Sequence, residues 1–321
     1  MNYIVLDLEW NQPMDAQEKI NEQLPFEIIE IGAVKLNSDK EQIGTFSKVV
    51  KPAVYTSMNH ITRRLLNISE NELDHGNGFR DVMEEFLAWC GSDYVFCTWG
   101  TLDLMELQRN MDYYGMTPIA EKPFAYYDVQ KLFSLQNEDG KNRRSLEYVV
   151  DYMKLAKNEQ FHRALYDACY TAEIFATFTD PYVLEKYSFD TYRIPRNKED
   201  EIDIVFSNYA KYISREFEDK QEAIADRKVS SMRCYLCRKN IKRRIKWFCP
   251  NGKHYYGVGY CDIHQYVKFK VRMKKSQDEH VYVVKTARCI TRDEFEQLNE
   301  KMEKTKLQKK LAKKKQNAAG G

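Results

Sequence analysis

Near its N-terminus the chain reads Ile4-Val5-Leu6-Asp7-Leu8-Glu9-Trp10. Apolar and β-branched residues in such a run favour a strand, and side chains two apart on a strand leave from the same face. Asp7 and Glu9 therefore stand side by side. Two like charges on one face repel, and on a buried face they require a cation to neutralise them. An all-oxygen donor set suits Mg2+ or Mn2+. A solvent-facing edge strand carrying two acids is the plain alternative, and D-x-E alone does not separate the two.

A second donor set is built on sulfur. Cys234-Tyr235-Leu236-Cys237 and Cys261-Asp262-Ile263-His264 form C-x2-C followed, after 23 intervening residues, by C-x2-H. Two close pairs of N/S ligands can close a tetrahedron around structural Zn2+. Cys249 and His254 fall between the pairs as further ligand candidates or as neighbours in a hairpin. Ile245–Cys249 and His254–Val258 flank the turn residues Pro250-Asn251-Gly252-Lys253. A helix is expected from Asp262 to Lys275, and knuckle, hairpin and helix together resemble a treble-clef or zinc-ribbon module. Cys90, Cys97 and Cys169 sit among apolar residues and read as small buried hydrophobes.

The net charge of +2 conceals an asymmetry. Residues 1–200 hold 21 Lys and Arg against 33 Asp and Glu, and residues 201–321 hold 29 against 15. Within residues 227–275, 15 basic side chains face a single acid, Asp262. Tyrosines and a tryptophan are interleaved with them, which suits phosphates and unstacked bases of a single strand. No apolar run approaches a membrane span, and the opening residues lack the pattern of a signal peptide, so a cytoplasmic protein with no membrane partner is expected.

The elements that would position the carboxylates follow from hydrophobic period. Strands are expected at 27–36 and 42–51 with a hairpin turn at 37–40, so three antiparallel strands open the chain. Helical spacing marks 79–90, and a short strand at 94–99 leads into a helix over about 101–114, with Asp103 in its first turn. Ser145 caps another helix, and 161–175 has a long helical pattern holding His162 and Asp167. Five residues turn about 140° on a helix, so His162 should lie at or before that helix's start if it is to join Asp167. This order predicts an α/β domain with a mixed sheet.

The layout Asp7-Leu8-Glu9, Thr98-Trp99-Gly100-Thr101-Leu102-Asp103 and His162-Arg163-Ala164-Leu165-Tyr166-Asp167 resembles the DEDDh 3′-to-5′ exonuclease superfamily, with its D-x-E, internal Asp and H-x4-D motifs. Glu27–Val34 has a counterpart in the same family. The resemblance implies a ribonuclease H-like mixed sheet flanked by helices. It also implies two Mg2+ or Mn2+ ions about 4 Å apart on Asp7, Glu9, Asp103 and Asp167, with His162 as general base for the attacking water. Leu6–Glu9 and His60-Ile61-Thr62 look most like the ERI-like branch, which includes members linked to sporulation control and favours RNA over DNA. Trp10-Asn11-Gln12 departs from the small residue or Thr common there. Trp10 could stack on a terminal base or serve as a buried aromatic.

The expected organisation is an exonuclease domain over 1–180, a linker and connecting helix over 181–226, a basic zinc module over 227–290, and a lysine-rich helix and tail over 291–321. Ile204 to about Ala225 reads as an amphipathic helix. Thr291–Glu294 reads as a capping box ahead of a helix that dissolves after Lys315 into a mobile tail. The expected function is metal-dependent 3′-to-5′ hydrolysis of single-stranded nucleic acid. A noncatalytic nucleic-acid-binding protein on the same scaffold is the alternative.

Overall fold

The computed structural model describes residues 1–14, 20–66, 68–157, 161–276 and 279–319, with side chains as far as residue 312. The chain divides into two compact units, Met1–Arg193 and Ile194–Gly321. In chain order the first unit contains β1 (Asn2–Asn11), β2 (Glu27–Leu36), β3 (Gln42–Val49), α1 (His60–Leu65), α2 (Glu70–Asp74), α3 (Phe79–Cys90) and β4 (Tyr94–Thr98). It continues with α4 (Leu102–Tyr113), β5 (Ala125–Asp128), α5 (Val129–Asn137), α6 (Leu146–Met153), α7 (Ala164–Ala176), α8 (Pro181–Leu184) and β6 (Ser188–Phe189).

These strands form one mixed sheet in the order β3-β2-β1-β4-β5-β6. The three opening strands pair antiparallel, whereas β4 lies parallel to β1 and β5 parallel to β4. Strand alternation sorts β1 between two cores. Ile4, Leu6 and Leu8 pack with Val82, Met83 and Phe86 of α3 and Leu104, Leu107 and Met111 of α4. Val5 faces the other way, among Val129 and Leu132 of α5, Val150 of α6 and Phe175 of α7. Asp7 and Glu9 share the side of Val5 and so project toward α7. The result is a mixed α/β fold with helices on both faces of the sheet.

The second unit is an antiparallel sheet with two short helices on one face and one long helix on the other. Its elements are β7 (Ile202–Val205), β8 (Ala210–Ile213), α9 (Lys220–Ala225), α10 (Arg227–Ser230), β9 (Lys242–Phe248), β10 (His254–Cys261), β11 (Gln265–Lys275), β12 (Val281–Cys289) and α11 (Arg292–Ala319). The strand order is β7-β8-β12-β11-β10-β9. Val267, Phe269 and Val271 point to one face, against the cysteine knuckle, α9 and α10. On the other face Leu298 and Met302 of α11 cover Ile245 and Val258, and Phe295 stacks on Tyr266 at 4.4 Å. The capping box forms: Glu294 N–H donates to Thr291 Oγ1 and Thr291 N–H to the Glu294 carboxylate, each at 3.2 Å.

Three expectations are corrected. Residues 204–225 are no connecting helix, because β7 and β8 pair with each other and β8 with β12, and only Lys220–Ala225 is helical. Residues 265–275 are a strand, so the cations expected on a helix stand on β11, whose apolar and basic residues alternate with period two. The last helix does not dissolve after Lys315 but runs to Ala319. The turn at Pro250–Lys253 does join an antiparallel pair, β9 and β10. No helix among the described residues is long and apolar enough to cross a membrane.

Candidate active site

Three local devices bring the acidic side chains together. The first is the parallel pairing of β1 with β4, which sets the end of β4 beside Asp7 and delivers the chain through Gly100, in the left-handed region at φ 105°, into α4. Asp103, the second residue of α4, is thereby buried just beyond the C-terminal end of β4. The second is Gly32, directly opposite Asp7 on β2. A Cβ there would lie 2.1 Å from Ala164 C and Leu165 N, so only glycine lets the first turn of α7 settle on the strand. The third is Glu30, opposite Glu9 and 1% exposed. Its carboxylate accepts from Arg163 Nε and Nη2 at 3.0 and 2.9 Å and from the Ala164 N–H at 3.1 Å, which ties down the start of α7.

Asp167 sits in the first turn of α7, and His162 lies two residues ahead of the helix, exposed, with a left-handed φ of 66°. The His162 N–H donates to Asp167 Oδ2 at 3.2 Å. Possible ligand atoms of Glu9, His162 and Asp167 lie within 4.8 Å of one another. Asp7 and Asp103 line the same cavity of about 430 Å³, along with Trp10, Trp99, Leu102 and Gln130. All five sequence-selected residues therefore meet at one opening. Trp10 packs on Phe26 with ring centroids 5.7 Å apart and still borders the cavity.

The electrostatics are those of buried, crowded carboxylates. Burial raises the Asp7 carboxyl well above its usual range, and Asp103, Glu9 and Asp167 push it further. Burial and then the charges of Asp167, Glu30 and Asp103 lift Glu9 to about 8. Burial lifts Asp103 to about 7 against hydrogen bonds from backbone N–H groups. Asp167 rises to about 6, again through burial, and its Oδ1 is buried with no hydrogen-bond partner. Carboxylates that oppose one another's ionisation, with one oxygen left over, are a donor set that hard divalent cations complete.

In the second unit Cys234, Cys237, Cys261 and His264 converge with all ligand atoms within 4.8 Å. His264 Nδ1 is 3.4 Å from Cys234 Sγ and 3.7 Å from Cys261 Sγ, and Cys237 and Cys261 sulfurs are 3.6 Å apart. The His264 backbone N–H leads the influences that hold the Cys261 thiol down at about 6. Cys249 and His254 lie outside this group: Cys249 borders an apolar cavity with Trp247 and Tyr255, and His254 faces Asn251 at 3.2 Å.

Sequence reasoning missed the positioning residues. Besides Glu30 and Arg163, Asn11 is buried and its side-chain amide donates to the carbonyls of Tyr55 and Ser57 while its oxygen accepts the Asn59 N–H. Glu27, 1% exposed, accepts the backbone N–H groups of Ala53, Val54 and Tyr55 and the Tyr114 hydroxyl. Acids interrupting the apolar run Glu27–Ile31 were the available signal.

Residues 4–175 match the RNase_T family, described as "Exonuclease". Among solved structures, a full-length 3′-exonuclease is 18% identical at a TM-score of 0.47, covering 55% of this chain and 80% of its own. The nuclease domain of 3'hExo, described as a DEDDh family member bound to rAMP, is 19% identical at 0.47, covering 55% and 90%. Pop2p of S. pombe, in a form with Mg2+ and Mn2+, is 15% identical at 0.41, covering 54% and 81%. No curated protein matches the chain. Since the family match takes in more than half of the 321 residues, the protein belongs to the RNase_T exonuclease family.

Proposed function

We propose that the protein is a DEDDh-type 3′-to-5′ exonuclease that releases nucleotides from single-stranded nucleic acid, RNA in preference to DNA, as in the ERI-like branch. The observation that carries the reading is the meeting of Asp7, Glu9, Asp103 and Asp167 with His162 around one open cavity. Two Mg2+ or Mn2+ ions held by the four carboxylates would activate water and stabilise the departing 3′ oxygen of a phosphodiester. The chain's own groups do the rest. His162, left exposed by its position ahead of α7, accepts a proton from the attacking water at a ring nitrogen. Its backbone N–H holds Asp167 in place. Trp10 and Leu102 offer apolar surface on which a terminal base can rest.

The second unit supports a separate structural zinc site on Cys234, Cys237, Cys261 and His264, in a treble-clef or zinc-ribbon-like knuckle. Bonds of about 2.3 Å to sulfur and 2.0 Å to nitrogen make a tetrahedron with edges of about 3.8 Å between sulfurs and about 3.5 Å between sulfur and nitrogen. The separations of 3.4 to 3.7 Å fit that figure and leave no open position. Its basic strands would supply the affinity for a polyanion that the acidic first unit lacks.

The test is single-turnover digestion of 3′-labelled and 5′-labelled RNA and DNA single strands with Mg2+ or Mn2+. Early release of the 3′ label as mononucleotide, a descending ladder from the 5′ label, and loss of both in His162→Ala are expected. Salt-sensitive binding without cleavage would overturn the catalytic reading.

A further inference from the structure

One face of the second unit's sheet is buried under the cysteine knuckle, α9 and α10; α11 covers part of the other, and beside α11 that face carries a concentration of positive charge, with Lys268, Lys270 and Lys274 half-buried and Arg272 exposed. On β11 the residues alternating with Val267, Phe269, Val271 and Met273 are Lys268, Lys270, Arg272 and Lys274. At about 3.4 Å per residue they form a straight row with steps of about 7 Å, roughly 20 Å long. Lys268 stands directly opposite Arg288 of β12, a like-charge pair that sheets ordinarily avoid. From α11, Lys301 adds its ammonium 5.3 Å from the Tyr256 ring, whose centroid is also 5.5 Å from Lys268 Nζ.

Little on the chain answers this charge. Glu294 is engaged by Arg288 and Glu279 by Lys275. Among the described residues no carboxylate pairs with Lys268, Lys270, Arg272 or Lys274. Partial burial, then the charges of Arg288, Lys270 and Lys301, hold Lys268 below the usual lysine range against the attraction of Glu294, and burial with Arg272 and Lys301 does the same to Lys270. Folding therefore gathers cations that oppose one another, a cost that binding a polyanion would offset.

We propose that this face is a track for single-stranded nucleic acid, with the β11 row meeting successive phosphates of one extended strand. The identity of the partner rests on the nuclease reading above. A single line of cations on a strand matches the single line of charge on an unpaired chain, whereas a duplex presents two lines across a groove.

The experiment uses the full chain with Ca2+ in place of Mg2+ or Mn2+, and a fluorescein-labelled single-stranded oligonucleotide followed by anisotropy from about 50 to about 200 mM salt. Each phosphate contact to a single strand contributes about −0.7 to the slope of log K on log salt. Lys270→Gln with Arg272→Gln should reduce the slope by about 1.4. Lys220→Gln with Arg227→Gln, on the helices of the opposite face, should leave it unchanged. Equal loss in both pairs, no loss in the first, tighter binding of duplex, or displacement by poly-glutamate at matched charge would each overturn the proposal. Cleavage with an unaltered slope defeats only this inference. A slope that falls as expected, without cleavage under Mn2+, defeats only the nuclease reading.

Discussion

Gly32→Ala is the sharpest test of how the first unit assembles its site. The new methyl would sit 2.1 Å from Ala164 C and Leu165 N, where ordinary contact begins near 3.4 Å, so backbone must yield by about 1.3 Å. Neither partner is a flexible side chain, and Glu30 ties the same turn to β2 through the Ala164 N–H. Overpacking against such a wall costs about 1 to 3 kcal/mol, a fall in Tm of about 3 to 10 °C for a unit of this size. The larger effect is on chemistry. Asp167 lies three residues beyond Ala164 and moves with the turn, and a displacement of about 1 Å in a reacting constellation costs about 100-fold. Circular dichroism and thermal unfolding measure the first effect, and single-turnover cleavage on the folded fraction measures the second. Wild-type cleavage per folded molecule alongside a lowered Tm would refute the argument that β2 positions Asp167. An unchanged Tm would refute the close approach itself.

Three further outcomes follow from the same geometry. Glu30→Gln removes the charge and one of the two acceptor oxygens that hold Arg163 and the Ala164 N–H, and should cost roughly 2 to 3 kcal/mol, below the usual loss for a broken buried pair because one acceptor survives and Arg163 is a quarter exposed. Cleavage should fall with it, while Glu30→Asp recovers part of the stability in a denaturant titration. Glu9, Asp103 and Asp167 carry folded pKa values of about 8, 7 and 6, above an ordinary carboxylate near 4. The folded state thus binds more protons in between, so without added Mg2+ or Mn2+ Tm should decline as pH rises from about 4 to about 8. Added Mn2+ should restore more at pH 8 than at pH 5, and a Tm rising with pH would sink that account. Cys261→Ser should lower zinc content by elemental analysis and loosen the second unit, with cleavage of a short substrate as the control readout; full zinc retention would mean a different ligand set.

Much of the first unit was legible because its signals are local. The D-x-E strand, the capped helices and the helix carrying Asp167 each announce themselves within a dozen residues. What escaped depends on partners far along the chain: Glu30 needs Arg163, and Asn11 needs the backbone at 55–59. In the second unit, Val205, Tyr209, Tyr212, Ile213 and Phe217 fall near helical spacing, yet β-branched and aromatic residues with a turn between them pair more favourably with β12. Residues 265–275 alternate apolar and basic side chains with the two-residue period of a strand, a pattern that the expected ligand pair at the head of a helix hides.

The chain path through the first sheet also sets when the site can exist. Asp7 and Glu9 leave the ribosome early, but Asp167 rides on α7, some 160 residues later, and only its first turn, seated on Gly32, completes the carboxylate cluster. At about 5 to 20 residues per second, the nascent chain spends roughly 10 to 30 seconds with the sheet's acids made and no helix over them. A cluster assembled in this order is incomplete until α7 has emerged, and a fragment truncated ahead of Ala164 lacks both Asp167 and the turn that seats it on Gly32.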